Sequence, residues 1–261
     1  MSSGTATASV QYALRDDIAH VTLDAPPLNI LSATMMDELT SAVERALGDP
    51  SVKAIVLQAV PGSRAFSAGA DVGEHRPEQA PMMIAAFSRL FAILGRSELP
   101  IVAVVEGAAL GAGFELAMMA DILLASDRAT FGQPEIRLGF FAPVGVALLP
   151  RRIGMGRAIE VTCTGRTYSA AEMRELGVVS RVVPVADLAR ELETTLGDLR
   201  RASAAVLRMN VRLARQLSDR PFSEARLEAE RVFLEDLMRT EDVREGIASF
   251  FEKRTPAWRN R

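Results

Sequence analysis

The sequence predicts an α/β fold of layered strands and helices over residues 10–184, followed by a helical region over 185–261. Three observations carry this. Residues 52–60 and 99–105 are nearly continuous apolar runs, the pattern of strands buried on both faces. Each run leads into a glycine-bearing loop and then a helical pattern, at 52–94 and again at 99–119, an alternation that stacks helices on a sheet. From Val185 onward the sequence turns helical and charged, with no low-complexity linker and no simple repeat.

The elements follow in order. Residues 1–9, MSSGTATAS, are polar, lack the basic and apolar regions of a signal peptide, and read as a disordered tail. Residues 10–23 form two short strands around Arg15-Asp16-Asp17, and Ala25-Pro26-Pro27 ends the second because proline cannot donate to a ladder. Ser32 caps a helix whose Met35, Met36, Leu39, Val43 and Leu47 recur at helical spacing; Asp49-Pro50 stops it. Pro61-Gly62-Ser63 breaks the strand at 52–60. Residues 64–75, RAFSAGADVGEH, carry Ser67, Gly69 and Gly73 and make a close-approach loop. Residues 81–94 are an amphipathic helix. The strand at 99–105 feeds residues 107–125, GAALGAGFELAMMADILLA, which read as a glycine turn, a helix and a short strand at 122–125. Residues 129–132 lead into Gln133-Pro134-Glu135, residues 140–150 are apolar with two prolines, and residues 151–163 are helical. Ser169-Ala170-Ala171-Glu172 is a capping box, residues 178–183 a strand, and residues 188–196, 201–217, 223–238 and 242–253 helices.

With 261 residues and 49% apolar content, the chain fits one domain with a sizeable core plus an appended piece. A net charge of −3, spread along the chain, leaves no nucleic-acid footprint and no membrane patch. Cys163 is the only cysteine, so no intrachain disulfide forms and a reducing, cytoplasmic compartment is expected. Glu106, Glu115 and Asp121 argue against a membrane span within residues 99–125. Two histidines without a cysteine cluster give no zinc pattern. Gly111-x-Gly113 runs on to Leu116, which breaks the GxGxxG fingerprint. The only lysines, Lys53 and Lys253, supply no P-loop, and no GxSxG elbow exists.

The candidate chemistry lies around residues 107–125. A helix that opens at Gly111–Gly113 aims unpaired N–H groups and a partial positive charge at whatever lies before it. Glu115 follows Gly111 by about 6 Å along the axis. Its apolar neighbours Phe114, Leu116 and Met118 would raise its pKa and suit it to proton transfer, although a first-turn glutamate is equally explained by the helix dipole. Glu135 is a loop acid that would form a hydration device only by converging with Glu115 on one water. Ala70 either belongs to a turn capped by Asp71 or donates its N–H to an oxyanion together with Ala112. His75 reads as a surface or packing residue, and Glu74 and Glu106 as structural.

Taken together, RAFSAGADVGEH, PIVAVVEGAALGAGFELAMMADILLA, ATFGQPEIRLG, SAAEMRELGVVSRVVP and the terminal EGIASFFEKR resemble the enoyl-CoA hydratase/isomerase (crotonase) superfamily, from about residue 10 to the end. The resemblance implies a spiral of ββα units with a C-terminal helical trimerisation region, assembled as a trimer or a dimer of trimers. It implies an acyl-CoA thioester as ligand, with coenzyme A as part of the substrate and no separate cofactor or metal. Ala70 and Ala112 match the oxyanion-hole positions. Ala68, Ala70 and Asp71 match the loop against which the adenosine part packs. Phe250 and Lys253 match positions that approach the CoA phosphates and adenine, sometimes across a subunit boundary. Glu115 and Glu135 match the two glutamates of true hydratases, with Glu115 activating water and Glu135 handling the proton at the α-carbon by analogy. The residues themselves leave that division open.

Two departures stand out. Alanine replaces a frequent glycine at position 112. The run after Glu135 is also bulkier, placing Phe140, Phe141 and Pro143 in the substrate pocket. That run is similar to the branch that hydrates cyclic dienoyl-CoA esters. Within the same fold an isomerase, a hydrolase or a decarboxylase is the nearest rival. A silent acyl-CoA-binding subunit is the reading from another class, and RNA binding fits poorly with the negative charge.

Overall fold

The computed structural model describes residues 9–260. Residues 1–8, most of the expected disordered tail, lie outside the described residues. Ser9 does not belong to such a tail: its N–H and Oγ both donate to Glu38 Oε2, at 2.9 and 2.8 Å.

The elements are β1 (Val10–Arg15), β2 (Ile18–Leu23), α1 (Ala33–Gly48), β3 (Ala54–Ala59), β4 (Ala65–Ser67), α2 (Ala80–Gly95), β5 (Ile101–Val105), β6 (Ala108–Leu110), α3 (Ala112–Met118), β7 (Ile122–Ser126) and β8 (Thr130–Gly132). They continue with α4 (Pro143–Ile153), α5 (Met155–Thr164), β9 (Thr167–Ser169), α6 (Ala170–Glu175), β10 (Arg181–Val183), α7 (Leu188–Arg200), α8 (Ala204–Leu217), α9 (Phe222–Glu235) and α10 (Glu241–Glu252). Short 3₁₀ turns at Val72–His75 and Pro134–Leu138 carry site residues. No helix among the described residues is long and apolar enough to cross a membrane.

Two sheets lie in the core. The larger runs β1-β2-β3-β5-β7-β10 and is parallel except for the β1–β2 hairpin. The smaller runs β4-β6-β8-β9. Each pass of the chain gives one strand to each sheet: β3 then β4, β5 then β6, β7 then β8. The first two passes end in α2 and α3, and the third leads through the 3₁₀ turn at Pro134–Leu138 to α4. This is the expected ββα spiral. The repeat is hidden in the sequence because its passes differ in length, and because strands of three residues are too short to show alternation. Hence β4, β6, β8 and β9 are additions to the sequence-based elements, and residues 107–110 are part strand rather than only a turn.

The central strands of the larger sheet, β3, β5 and β7, are buried on both faces, as their continuous apolar runs require, while the edge strand β1 is partly exposed. Ile55 and Leu57 of β3 join the main core with α1 and α2, while Ala54 and Val56 pack with Leu188 and Leu196 of α7 on the other side. The single helix expected over 151–163 is in fact two: Gly154, at φ +82°, separates α4 from α5. The expected helix at 201–217 starts at Ala204, with Ser203 as its cap. The one at 223–238 ends as α9 at Glu235, followed by a 3₁₀ turn.

Arginines fasten α8 to the core. Arg208 donates to Leu47 O and Asp49 O at the end of α1, at 3.1 and 2.6 Å. Arg215 donates to Leu94 O near the end of α2, at 2.6 Å, and grips both oxygens of Asp121, whose Oδ2 also accepts from Ile101 N. Cationic groups at helix C-termini meet the unpaired carbonyls and the negative end of the dipole. Arg215→Ala is expected to lower the unfolding free energy by about 1–3 kcal/mol, read from the denaturant midpoint at unchanged slope.

Candidate active site

A cavity of about 330 Å³ opens where the smaller sheet meets α2, α3 and α4. Its wall brings together Ala68, Gly69 and Ala70 from the first glycine loop, and Gly111, Ala112 and Glu115 from the second. Glu135, Phe140, Phe141 and Pro143 come from the third pass of the chain. The catalytic and substrate-pocket positions expected from the sequence therefore share one space. Asp71 is not among the wall residues; its carboxylate accepts from Gly73 N at 2.7 Å and caps its own 3₁₀ turn. Phe250 and Lys253 do not line the cavity within one chain. They sit at the end of α10, with Phe250 exposed and edge-on to Phe251.

Three glycines set the distances. Gly113 packs so closely on the Ser67 carbonyl that a Cβ there would overlap it, which pulls α3 against β4. A Cβ on Gly69 would lie 3.8 Å from Ala112 N, so the two loops meet at that amide. Gly111 turns the chain at φ +54° and leaves room for the Glu135 carboxylate, which a Cβ at position 111 would strike. Ala112 opens α3, so its N–H has no acceptor within the helix. On the first loop, Leu31 N donates to Gly69 O and Asp71 N donates to Leu31 O. Peptide groups alternate direction along extended chain. The Ala70 N–H between those two bonds therefore faces away from Leu31.

Glu115 is 1% exposed, and its Oε1 accepts from Val144 N at 2.7 Å and Gly145 N at 2.8 Å. These are early N–H groups of α4, whose N-cap Ala142 offers no side-chain acceptor. Glu115 thus caps a helix 29 residues downstream, the task an N-terminal Ser or Asp performs locally. Oε2 accepts no hydrogen bond among the described residues. Burial pushes the carboxyl up to about 7; the Gly145 N–H opposes this, the Glu135 charge adds to it, and the Val144 N–H opposes it again. Glu135 lies on the 3₁₀ turn rather than in an irregular loop, and its Oε2 is buried with no partner. Burial raises its pKa, while its own backbone N–H and His75 work the other way.

Two residues take on roles that the sequence reading did not give them. His75 packs its ring 4.8 Å from that of Phe140, as the packing alternative has it, and in doing so lines the cavity, which neither alternative gave it. Gln133 is 1% exposed, and neither of its amide atoms has a partner. Its Nε2 lies 2.9 Å from where a Cβ on Gly145 would be, so it packs against one of the two residues whose amides hold Glu115. The only signal in the sequence was a polar residue in the Phe131-Gly132-Gln133-Pro134-Glu135 run. Glu74 is structural as expected, accepting from Ala33 N at 2.9 Å. No group of His, Cys, Asp and Glu able to hold a metal occurs among the described residues.

Fold and site define a class: a two-sheet ββα spiral enzyme with two desolvated carboxylates in an apolar cavity beside a helix N-terminus. Within that class, the chain belongs to the enoyl-CoA hydratase/isomerase family, whose model matches residues 14–261. It is 40% identical over 244 residues to a probable enoyl-CoA hydratase of Mycobacterium tuberculosis, covering 92% of this chain and 94% of that one. It is 34% identical over 263 residues to the cyclohexa-1,5-dienecarbonyl-CoA hydratase of Thauera aromatica, covering all of both chains. Among solved structures, an enoyl-CoA hydratase subunit from Geobacillus kaustophilus superposes with TM-score 0.86 at 34% identity, over 97% of this chain and 98% of that one. The protein is an enzyme of the enoyl-CoA hydratase type, a carbon–oxygen lyase.

Two outcomes test the site. Gly111→Ala is expected to fold with a loss of about 1–3 kcal/mol from backbone strain and to displace Glu135, so turnover falls while thermal unfolding stays cooperative. The second concerns pH. Glu115 has an ordinary value of 4.5 and a native value of about 7. Between those values the native state keeps a proton that the unfolded chain has released. The stability this group contributes is therefore complete below pH about 4.5 and is lost as pH rises through about 7. Relative to wild type, Glu115→Gln is expected to gain up to about 3 kcal/mol across that window, measured by urea unfolding at each pH.

Proposed function

We propose that the chain adds water to, or removes it from, the α,β-double bond of an enoyl- or dienoyl-CoA thioester. One observation carries the reading: two carboxylates, both pushed toward the neutral form by burial, line one apolar cavity with the Ala112 amide. In the hydration direction the thioester oxygen sits between the Ala70 and Ala112 N–H groups, which stabilise it as it gains negative charge. The water oxygen bonds to the β-carbon as its proton passes to Glu115. The α-carbon takes a proton from Glu135. One water is added across the bond, and the pair ends with one proton as it began. The hydrogen bonds from Val144 and Gly145 fix the Glu115 Oε1 atom and leave Oε2 for the water.

The acyl group is proposed to be bulky or cyclic. Met83, Ile84 and Phe87 of α2 line the same cavity as Leu138, Phe140 and Phe141. The likeness to the dienoyl-CoA hydratase named above supports this. Ala68, Ala70 and Asp71 are proposed to take the adenosine end, with Phe250 and Lys253 approaching it from a neighbouring copy in a trimer or dimer of trimers. Phe222, Leu234, Phe250 and Phe251 are large apolar side chains left exposed on α9 and α10, which supports such an assembly.

Glu115→Gln and Glu135→Gln are each expected to cut hydration by about 10²-fold or more while CoA-ester binding persists. The measurement follows the absorbance of the conjugated thioester with linear, branched and cyclic enoyl-CoA esters. Undiminished turnover in either variant overturns the proposal.

A further inference from the structure

The two proposed oxyanion donors are anchored unequally. The Ala112 N–H opens α3 and is fixed by a helix whose Gly113 packs on the Ser67 carbonyl. The Ala70 N–H lies between β4 and the 3₁₀ turn at Val72–His75, in neither a helix nor one of the ten strands. What holds it is the stretch Leu28-Asn29-Ile30-Leu31. Ala68 N donates to Leu28 O at 2.9 Å, Leu31 N to Gly69 O at 2.9 Å, and Asp71 N to Leu31 O at 3.3 Å. Leu31 and Ala70 thereby form an isolated parallel bridge. One edge of the first glycine loop is zipped to this stretch, while Ala68, Gly69 and Ala70 line the cavity.

Asn29 fixes that stretch in turn. Asn29 and Leu31 are fully buried, whereas Leu28 and Ile30 are 43% and 36% exposed. Burying an amide while two aliphatic side chains stay partly in water is the reverse of what apolar burial favours, so hydrogen bonds must hold the amide inward. Both of its N–H groups and its oxygen are engaged. Nδ2 donates to Ala65 O at 3.0 Å and to Phe66 O at 3.1 Å, and Oδ1 accepts from Ala25 N at 2.9 Å. The backbone closes the same turn, with Asn29 N donating to Ala25 O at 2.9 Å. The residue sits at φ +48°, in the left-handed region that asparagine tolerates. Its two carbonyl partners flank the point where the β4–β6 register shifts, between Ala65 and Ser67. The ladder is irregular there, and one buried amide spans the irregularity.

We propose that Asn29 is a positioning residue for the oxyanion hole: by clamping Ala65 and Phe66 to the Leu28–Leu31 stretch it sets where the Ala70 N–H points. This deepens the hydration reading and rests on it. Asn29 is not a wall residue, so it acts only through the loop. A hydrogen bond to a developing oxyanion weakens steeply once its length or angle leaves the normal range. A misplacement of about 1 Å is worth about 10²-fold in rate. Loosening the clamp therefore removes stabilisation of the transition state. The apolar walls contributed by α2 and by the run after Glu135 make none of these bonds and keep their hold on the acyl group.

The test reads the thioester carbonyl itself. A hydrogen bond to a carbonyl lowers its stretching frequency, and an isotope label at that carbon isolates the band in difference infrared spectra. The probes are cyclohexanecarbonyl-CoA and butyryl-CoA, which have no double bond to hydrate and stay intact on the enzyme. Wild type is expected to lower the frequency of the bound carbonyl relative to the free thioester. Asn29→Asp keeps the side-chain shape and the bond from Ala25, and its carboxyl group has at most one hydrogen to give to the two carbonyls. Asn29→Gly accepts the left-handed backbone, removes the clamp, and serves if the aspartate variant does not fold. Each is expected to lose about half or more of the frequency shift. For the enoyl-CoA ester of the panel above that turns over fastest, kcat is expected to fall about 10-fold or more with KM within about 3-fold. Arg215→Ala, a stability variant remote from the loop, is expected to keep the wild-type shift and kcat. A full shift in the Asn29 variants, or an equal fall of kcat in Arg215→Ala, assigns Asn29 to stability alone and overturns the proposal. A wild-type enzyme that leaves the carbonyl frequency unmoved overturns the oxyanion hole and this proposal with it. The first failure appears only in the variants and the second already in wild type, so they are told apart.

Discussion

The contact between the Glu115 carboxylate and the first turn of α4 holds the site together. It ties the helix of the second pass to the helix that follows the third, passes whose strands already pair in both sheets, and it removes the need for a local cap at Ala142. It also explains why a carboxylate survives in the apolar core: two N–H donors and the positive end of a helix replace its water. Because only Oε1 is committed, the same residue is both a structural staple and a chemical group. Its hydrogen bonds favour the charged form and its burial favours the neutral form. Burial outweighs them and leaves the group near neutrality, where a proton is moved with little cost in either direction.

Around that contact the scaffold brings backbone unusually close to backbone. Gly107 against Arg64 and Gly132 against Arg166 are close approaches along the smaller sheet, and Gly113 against Ser67 seats α3 on it; a side chain at any of the three would pry these contacts apart. The larger sheet, clamped between helices on both faces, gives this layer a rigid floor. The arginines of α8 close the other side by binding the carbonyl ends of α1 and α2. The cavity is therefore walled by elements that each have independent reasons to stay where they are, as a site that must hold groups to fractions of an ångström requires.

Much of this was legible in the chain. The continuous apolar strands, the Ser32 cap of α1, the capping box at Ser169–Glu172 and the helical run after Val185 rest on local chemistry, and the structure has them where that chemistry puts them. The block pattern pointed to the family and to Ala70, Ala112, Glu115 and Glu135 as a group. Gln133 and His75 escaped because nothing in their immediate sequence separates a polar side chain enclosed by the fold from one facing solvent. Phe250 and Lys253 do not line the cavity within one chain, since a motif position fixes a residue's type and not its place in space.

The sequence by itself determined the period of each element, its caps and breaks, and the chemical types available. These depend on interactions within a few residues, where the chain has little choice. Tertiary structure alone decided which polar groups lost their water and which found each other. Glu115 meets Val144 and Gly145 some thirty residues away, Gly111 makes room for Glu135, and His75 comes to share a wall with both acids. Desolvation and charge pairing are properties of a place in space, and that place exists only once the spiral has closed.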